Sequence, residues 1–107
     1  MNYKVGDIVL VKFPYTNLVE YKKRPVLVIK SQNEYEDIVC FQITSNPHQS
    51  NIIKIEDNFL SKKLKLNSYV KYDKCFTISF NVIDKKLSSV NEKFLYVLKN
   101  MFCNEIF

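Results

Sequence analysis

Hydrophobic residues in this chain come in short, β-branched runs, each closed by turn-forming residues. Asp7-Ile8-Val9-Leu10-Val11-Lys12-Phe13 reads as a strand, and turn chemistry takes over at Pro14-Tyr15-Thr16-Asn17. Lys22-Lys23-Arg24-Pro25 leads into Val26-Leu27-Val28-Ile29. A proline at a strand's first residue removes no N–H that the ladder needs, so the second strand is expected to start there. Asp37 to Ile43 predicts a third strand, ended by Thr44-Ser45-Asn46-Pro47, and Asn51 to Ile55 a shorter fourth.

Glu56 to Asn67 is polar and lysine-rich, with Phe59, Leu60 and Leu64 spaced for one or two helical turns, so a loop with at most a short helix is expected. Two more strands are expected at Ser68 to Tyr72 and Phe76 to Phe80. Ser89-Val90-Asn91-Glu92 matches a capping box, with Ser89 at the N-cap and Glu92 at N3. Val90, Phe94, Val97, Leu98 and Met101 then share one face of a closing helix. The pattern predicts a β-rich α+β fold in which a small curved sheet or barrel carries a C-terminal helix.

Composition adds bounds to this picture. The 107 residues fit a single domain, 1–107, and 47% hydrophobic content supplies a packed core. The longest apolar runs, such as Ile8 to Val11, fall far short of the ~20 residues that span a bilayer. Asp7 interrupts the N-terminal stretch before any signal-peptide core develops, and a cytoplasmic location is expected. Cys40, Cys75 and Cys103 are odd in number and form no C-x-x-C pair, which argues against a disulfide framework or a zinc site. Of the three, Cys75 beside Lys74 is the one with a local charge suited to a reactive thiol.

Charge points to the partner. The net charge of +5 favours an anionic surface, and 15 of the 16 basic residues are lysine. Arg24 is the exception, a rigid fork of donors matched to phosphate or carboxylate. Gly6 is the only glycine, so there is no glycine-rich phosphate loop, and His48 is the only histidine. Neither metal-dependent nor P-loop chemistry is expected. If the second and third strands are antiparallel neighbours, Arg24 entering one lies beside Thr44 and Ser45 leaving the other. Guanidinium and hydroxyls on one rim suit a phosphodiester; alternatively, Thr44 and Ser45 serve only the turn before Asn46-Pro47.

Gly6-Asp7, Arg24-Pro25-Val26-Leu27-Val28-Ile29, Ile43-Thr44-Ser45 and Ser68-Tyr69-Val70-Lys71-Tyr72-Asp73-Lys74-Cys75-Phe76-Thr77 together resemble, in order, the MazF/PemK family of type II toxin-antitoxin ribonucleases. The resemblance runs from about Val5 to the terminal helix. It implies an SH3-like or CcdB-like half-open barrel of antiparallel sheet, a homodimer, and metal-independent, sequence-specific cleavage of single-stranded RNA. It also implies attack by the RNA's own 2′-hydroxyl, leaving a 2′,3′-cyclic phosphate and a 5′-hydroxyl. Arg24 and Thr44 match the family's catalytic pair. The expected partner is an antitoxin whose acidic, disordered tail folds onto the basic groove and with which the toxin binds DNA. No cofactor is implied.

The RNA-binding set that goes with this resemblance is Tyr15, Asn17, Lys23, Ser45, Ser68 and Lys74. Tyr15 or Tyr21 suits base stacking, or else a half-buried structural place. Ser68 and Lys74 align with positions near the bases, and are otherwise an ordinary strand serine and a solvated lysine. Asn17 stands where many relatives carry an acid, and Ser79 where Thr-x-Asp is common. Arginine is too basic to act as a general base, and His48 is the titratable alternative, though it sits in a loop without a counterpart in the motif. Two other functions fit the same fold: a CcdB-like poison of DNA gyrase acting through the terminal helix, and a non-catalytic RNA-binding module.

Overall fold

The computed structural model describes residues 3–14, 21–31 and 36–106. Six strands, β1 (Asp7–Pro14), β2 (Tyr21–Lys30), β3 (Asp37–Thr44), β4 (Ile52–Lys54), β5 (Tyr69–Ser79) and β6 (Ile83–Ser89), precede one helix, α1 (Glu92–Ile106). They form a single antiparallel sheet in the order β4-β5-β3-β2-β1-β6. The sheet curls into the half-open barrel of an α+β fold, with α1 against one of its faces. Short 3-10 turns occupy Asp57–Phe59 and Phe80–Val82.

Alternation along each strand divides the apolar residues between two cores. Ile8, Leu27, Phe41, Ile43 and Val70 point to the helix side, where Phe94 and Leu98 of α1 complete a buried cluster with Ile55 and Tyr72. Val9, Val11, Val26, Val28, Ile38 and Cys40 point the other way and pack with Tyr3 in a second cluster. Aromatic pairs join α1 to its core: Phe41 and Phe102 have ring centroids 5.4 Å apart, and Phe59 and Phe94 lie 5.5 Å apart.

Several sequence expectations are revised. β2 runs through Pro25 rather than starting there, since its last rung to β3 is Val26↔Gln42 while Pro25 still lies opposite Leu10 of β1. The proline thus sits just beyond the end of one ladder. The two strands expected at Ser68–Tyr72 and Phe76–Phe80 are one strand, β5, carrying a bulge. Its partners on β3 jump from Cys75 opposite Phe41 to Lys71 opposite Gln42. β6 was not expected, because Asp84-Lys85-Lys86 breaks any apolar alternation in this edge strand.

The helix starts later than the capping box proposes. Asn91 Oδ1 accepts from the backbone N–H of Phe94 at 3.0 Å, so Asn91 is the capping residue. Ser89 instead ends β6, where its hydroxyl lies 2.9 Å from that of Ser61. Val97 is 42% exposed and leaves the expected apolar face, whereas Leu95 and Phe102 join it.

Gly6 holds φ +96°, and an added Cβ would come within 3.1 Å of the Val90 carbonyl oxygen. Its N–H donates to the Val28 carbonyl and its own carbonyl accepts from Val90, both at 2.8 Å. The only glycine therefore stitches β1, β2 and the start of the helix together. Asp7, 5% exposed, accepts from the Lys4 N–H at 2.9 Å and pairs with Lys86 at 3.2 Å. Both halves of the Gly-Asp motif thus serve the framework.

Candidate functional site

Arg24 and Thr44 lie on the face of the sheet that α1 does not cover. Leu27 and Ile43 belong to the helix-side core, so strand alternation sends Arg24, Val26, Gln42 and Thr44 to the opposite face. The β2–β3 register passes through Leu27↔Phe41 and Val26↔Gln42. The ladder ends there, and Arg24 and Thr44, each two residues past that rung, lie on the same face. From Thr44 a row runs outward, because Thr44 pairs with Tyr69 and Tyr69 with Lys54. One cross-strand row thus reads Thr44, Tyr69, Lys54, from β3 to the edge strand β4, with Arg24 on the same face beyond the end of the β2–β3 ladder.

Behind this row the same face becomes apolar. Val26, Val28, Val9 and Val11 are fully buried, so the row forms the polar rim of the second core. Arg24 is exposed, and among the described residues its guanidinium has no ion pair or hydrogen bond. Lys22 shares its face two residues earlier and is also exposed. Thr44 has a defined hydroxyl, since Asn46 donates its N–H to Thr44 Oγ1 at 3.1 Å. That bond uses the oxygen as acceptor and leaves the hydroxyl proton available to donate. Asn46 Oδ1 in turn accepts from the His48 N–H at 2.9 Å, so two successive turns shape the chain leaving Thr44.

A buried lysine braces this loop. Lys71, 9% exposed, donates to the Ser50 carbonyl at 2.9 Å and lies 3.0 Å from Asp73 Oδ1. Asn51, held at φ 56°, donates its side-chain amide to Asp73 Oδ2, and its carbonyl accepts from Tyr72 N–H, both at 3.1 Å. Desolvation is the largest single influence on the Asp73 carboxyl and pushes it up, but the hydrogen bonds from Lys71 and Asn51 and the Lys71 charge together outweigh it. The group stays below the usual carboxylate range. The loop that follows Thr44 is therefore clamped onto the β5 bulge. Sequence reasoning missed this clamp, for a lysine in a strand carries no sign of which carbonyl it will reach.

The other candidate residues scatter around this row. Ser45 is exposed directly after Thr44, and Lys74 is exposed on the β5 bulge. Lys23 points to the face opposite Arg24 and pairs with Asp84 at 3.1 Å. Ser68 is buried and donates to the Leu66 carbonyl at 3.0 Å. Tyr15 and Asn17 lie outside the described residues, as does the side chain of Tyr21. His48 is exposed in the loop after Thr44.

Cys40 is fully buried, its thiol 3.6 Å from the Phe76 carbonyl, and desolvation, with a smaller effect from Cys75, pushes its pKa up to about 12. Desolvation also raises Cys75, so that thiol stays protonated despite its exposed position. Among the described residues, no three His, Cys, Asp or Glu side chains gather as a metal site would require.

On one rim of this small, basic, half-open barrel stand an exposed arginine with no ion pair among the described residues and a hydroxyl held by the turn that follows it. Comparison with known proteins places the chain more closely. Residues 4–104 match the model of the PemK-like, MazF-like toxins of type II toxin-antitoxin systems, and the chain belongs to that family. Among curated proteins no relative matches. A mycobacterial endoribonuclease solved in complex with its cognate antitoxin superposes with a TM-score of 0.71 at 14% identity, covering 95% of this chain and 90% of that one. A second mycobacterial endoribonuclease gives a TM-score of 0.72 at 13% identity, covering 95% and 88%. At such identities the likeness is one of fold. No helix among the described residues is long and apolar enough to cross a membrane.

Proposed function

We propose that this toxin is an endoribonuclease that cuts single-stranded RNA at the Arg24–Thr44 rim. Family membership supports nuclease toxicity in general terms, and the observation that carries the particular reading is Arg24. It is the chain's only arginine, exposed on the same face of the sheet as Thr44, just past the β2–β3 ladder, and free of any ion pair among the described residues. An arginine committed to structure would be paired; an uncommitted one is ready for phosphate.

In this reading Arg24 forks onto the non-bridging oxygens of the scissile phosphate, and the Thr44 hydroxyl donates to one of them. The RNA's 2′-oxygen attacks phosphorus and its proton passes to solvent at the exposed rim. The P–O5′ bond breaks, and the leaving oxygen takes a proton from solvent. The products are a 2′,3′-cyclic phosphate and a 5′-hydroxyl. Negative charge grows on the phosphorane oxygens, and the fixed guanidinium stabilises it more than it stabilises the ground state. The attacking group belongs to the substrate, so the chain supplies no nucleophile. Ser45, Lys74 and Lys22 flank the phosphate path, and Tyr15 and Asn17 are the further RNA-binding residues that the family resemblance assigns. Lys23, on the opposite face and paired with Asp84, and Ser68, buried and bonded to Leu66, fall outside that path.

The same basic rim suits an antitoxin's acidic segment, which would cover Arg24 and block RNA. We assign the active toxin as a homodimer in the cytoplasm, as the family resemblance implies. Sedimentation of the purified chain tests the dimer.

The test is cleavage of a long single-stranded RNA in EDTA, with end-group mapping, by the wild-type chain and Arg24→Ala. Cyclic phosphate and 5′-hydroxyl ends, lost in the variant, support the reading. Toxicity that survives Arg24→Ala with no RNA cut would overturn it in favour of a protein target.

A further inference from the structure

Gln42 and Tyr69 are not used by the chemistry above, yet both belong to the rim. Gln42 stands on β3 two residues before Thr44 and on the same face, between Val26 and Lys71. Both neighbours are committed: Val26 is fully buried, and Lys71 is held by Ser50 and Asp73. Gln42 is half-buried, and among the described residues its amide has no hydrogen-bond partner. A partly exposed amide with no partner in the chain keeps its donors and acceptor open to a ligand.

Tyr69 lies directly across from Thr44 on β5. Its ring is half-buried, and among the described residues neither a ring contact nor a hydrogen bond to its hydroxyl holds it. Gln42 and Tyr69 are diagonal neighbours on adjacent strands, within reach of long and aromatic side chains. A planar ring beside a primary amide, next to an arginine and a hydroxyl, is a fitting arrangement for one nucleotide. The ring stacks the base, the amide's donor and acceptor read its edge, and the phosphate falls to Arg24 and Thr44.

We propose that Tyr69 and Gln42 form the subsite that binds and reads a base flanking the scissile phosphate, so that Gln42 sets part of the cleavage motif. The inference rests on the Arg24–Thr44 rim being the phosphate site.

Binding can be separated from cutting with a randomised pool of oligonucleotides 2′-O-methylated throughout, which lack the attacking hydroxyl. The pool is selected on the wild-type chain, Gln42→Leu, Gln42→Glu, Tyr69→Phe and Tyr69→Ala, each confirmed folded by its thermal transition. Wild type should enrich one base at one position, and Tyr69→Phe should do the same. Gln42→Leu should lower that preference about 5- to 100-fold, and Gln42→Glu, which exchanges donors for acceptors, should move it to another base. Tyr69→Ala should weaken overall binding about 5- to 100-fold.

Unchanged base preference in both Gln42 variants, or undiminished binding by folded Tyr69→Ala, overturns the proposal. So does a wild-type chain that binds no member of the pool. Base-selective, Gln42-dependent binding by a chain that cuts no natural RNA would uphold the subsite while removing the nuclease reading.

Discussion

The two faces of the sheet are built from the same strands, residue by residue in alternation, yet they end differently. On the helix side, α1 supplies Phe94, Leu98 and Phe102 and closes the core over Leu27, Phe41, Ile43 and Val70. On the other side, the Val9, Val11, Val26 and Val28 cluster reaches only part of the way along the strands and gives out into Arg24, Thr44, Tyr69 and Lys54. The helix side buries the middle of its strands beneath α1, and the other side divides its positions between burial and an exposed polar rim. A short chain can thus carry exposed polar side chains on the same strands that build its core, where paired neighbours hold their backbones.

This contrast predicts separable losses. Phe94→Ala empties a fully buried site on the helix side and should cost about 3–5 kcal/mol of stability by denaturant unfolding. RNA cutting per folded molecule should stay intact. A parallel loss of specific activity would mean that the two faces are coupled through the sheet.

Arg24→Ala should do the reverse, lowering cleavage by about 10²–10³-fold while leaving the unfolding midpoint in place. Arg24→Lys should recover little of that loss, because an ammonium lacks the fork. Recovery to near wild type would reduce the arginine to a simple charge.

Lys71→Met leaves the Ser50 carbonyl and Asp73 without their partner and should destabilise by about 1–3 kcal/mol. It should also loosen the loop after Thr44 and reduce cleavage more than its stability effect explains. The paired Asp73 contributes stability above the unfolded carboxylate pKa, lost as pH falls through its lowered folded value. The acid limb of an unfolding profile should therefore flatten in Asp73→Asn.

Asn91→Ala removes the helix cap and should cost about 1 kcal/mol, read as a lowered midpoint with unchanged cutting. The smallest effect concerns Cys40. Its raised pKa favours the folded protein below the unfolded thiol value of 9.0, and this contribution drains away as pH rises toward about 12. A thiol reagent at neutral pH should label Cys40 only on unfolding; rapid labelling of the native chain would show that the second core opens.

Much of the fold was legible because strand alternation and turn chemistry are local. The runs at Asp7–Phe13, Val26–Ile29 and Asp37–Ile43 announce strands on their own, and Arg24 and Thr44 are visible at two of their ends. β6 was hidden because an edge strand with three consecutive charged residues is held by its partner rather than by apolar pattern. The cap fell on Asn91 because Ser89 was already engaged in β6 and with Ser61, a long-range competition that a local motif does not register.

By itself the sequence determined a basic, β-rich chain with a terminal helix and a single arginine suited to phosphate. Only the tertiary structure decided that Thr44 has Tyr69 across from it and Lys54 beyond, and that Lys71 reaches the loop following Thr44. Periodicity along a strand is a property of neighbouring residues. Register between strands is set by every contact in the sheet at once, and a site that runs across strands exists only after that register is chosen.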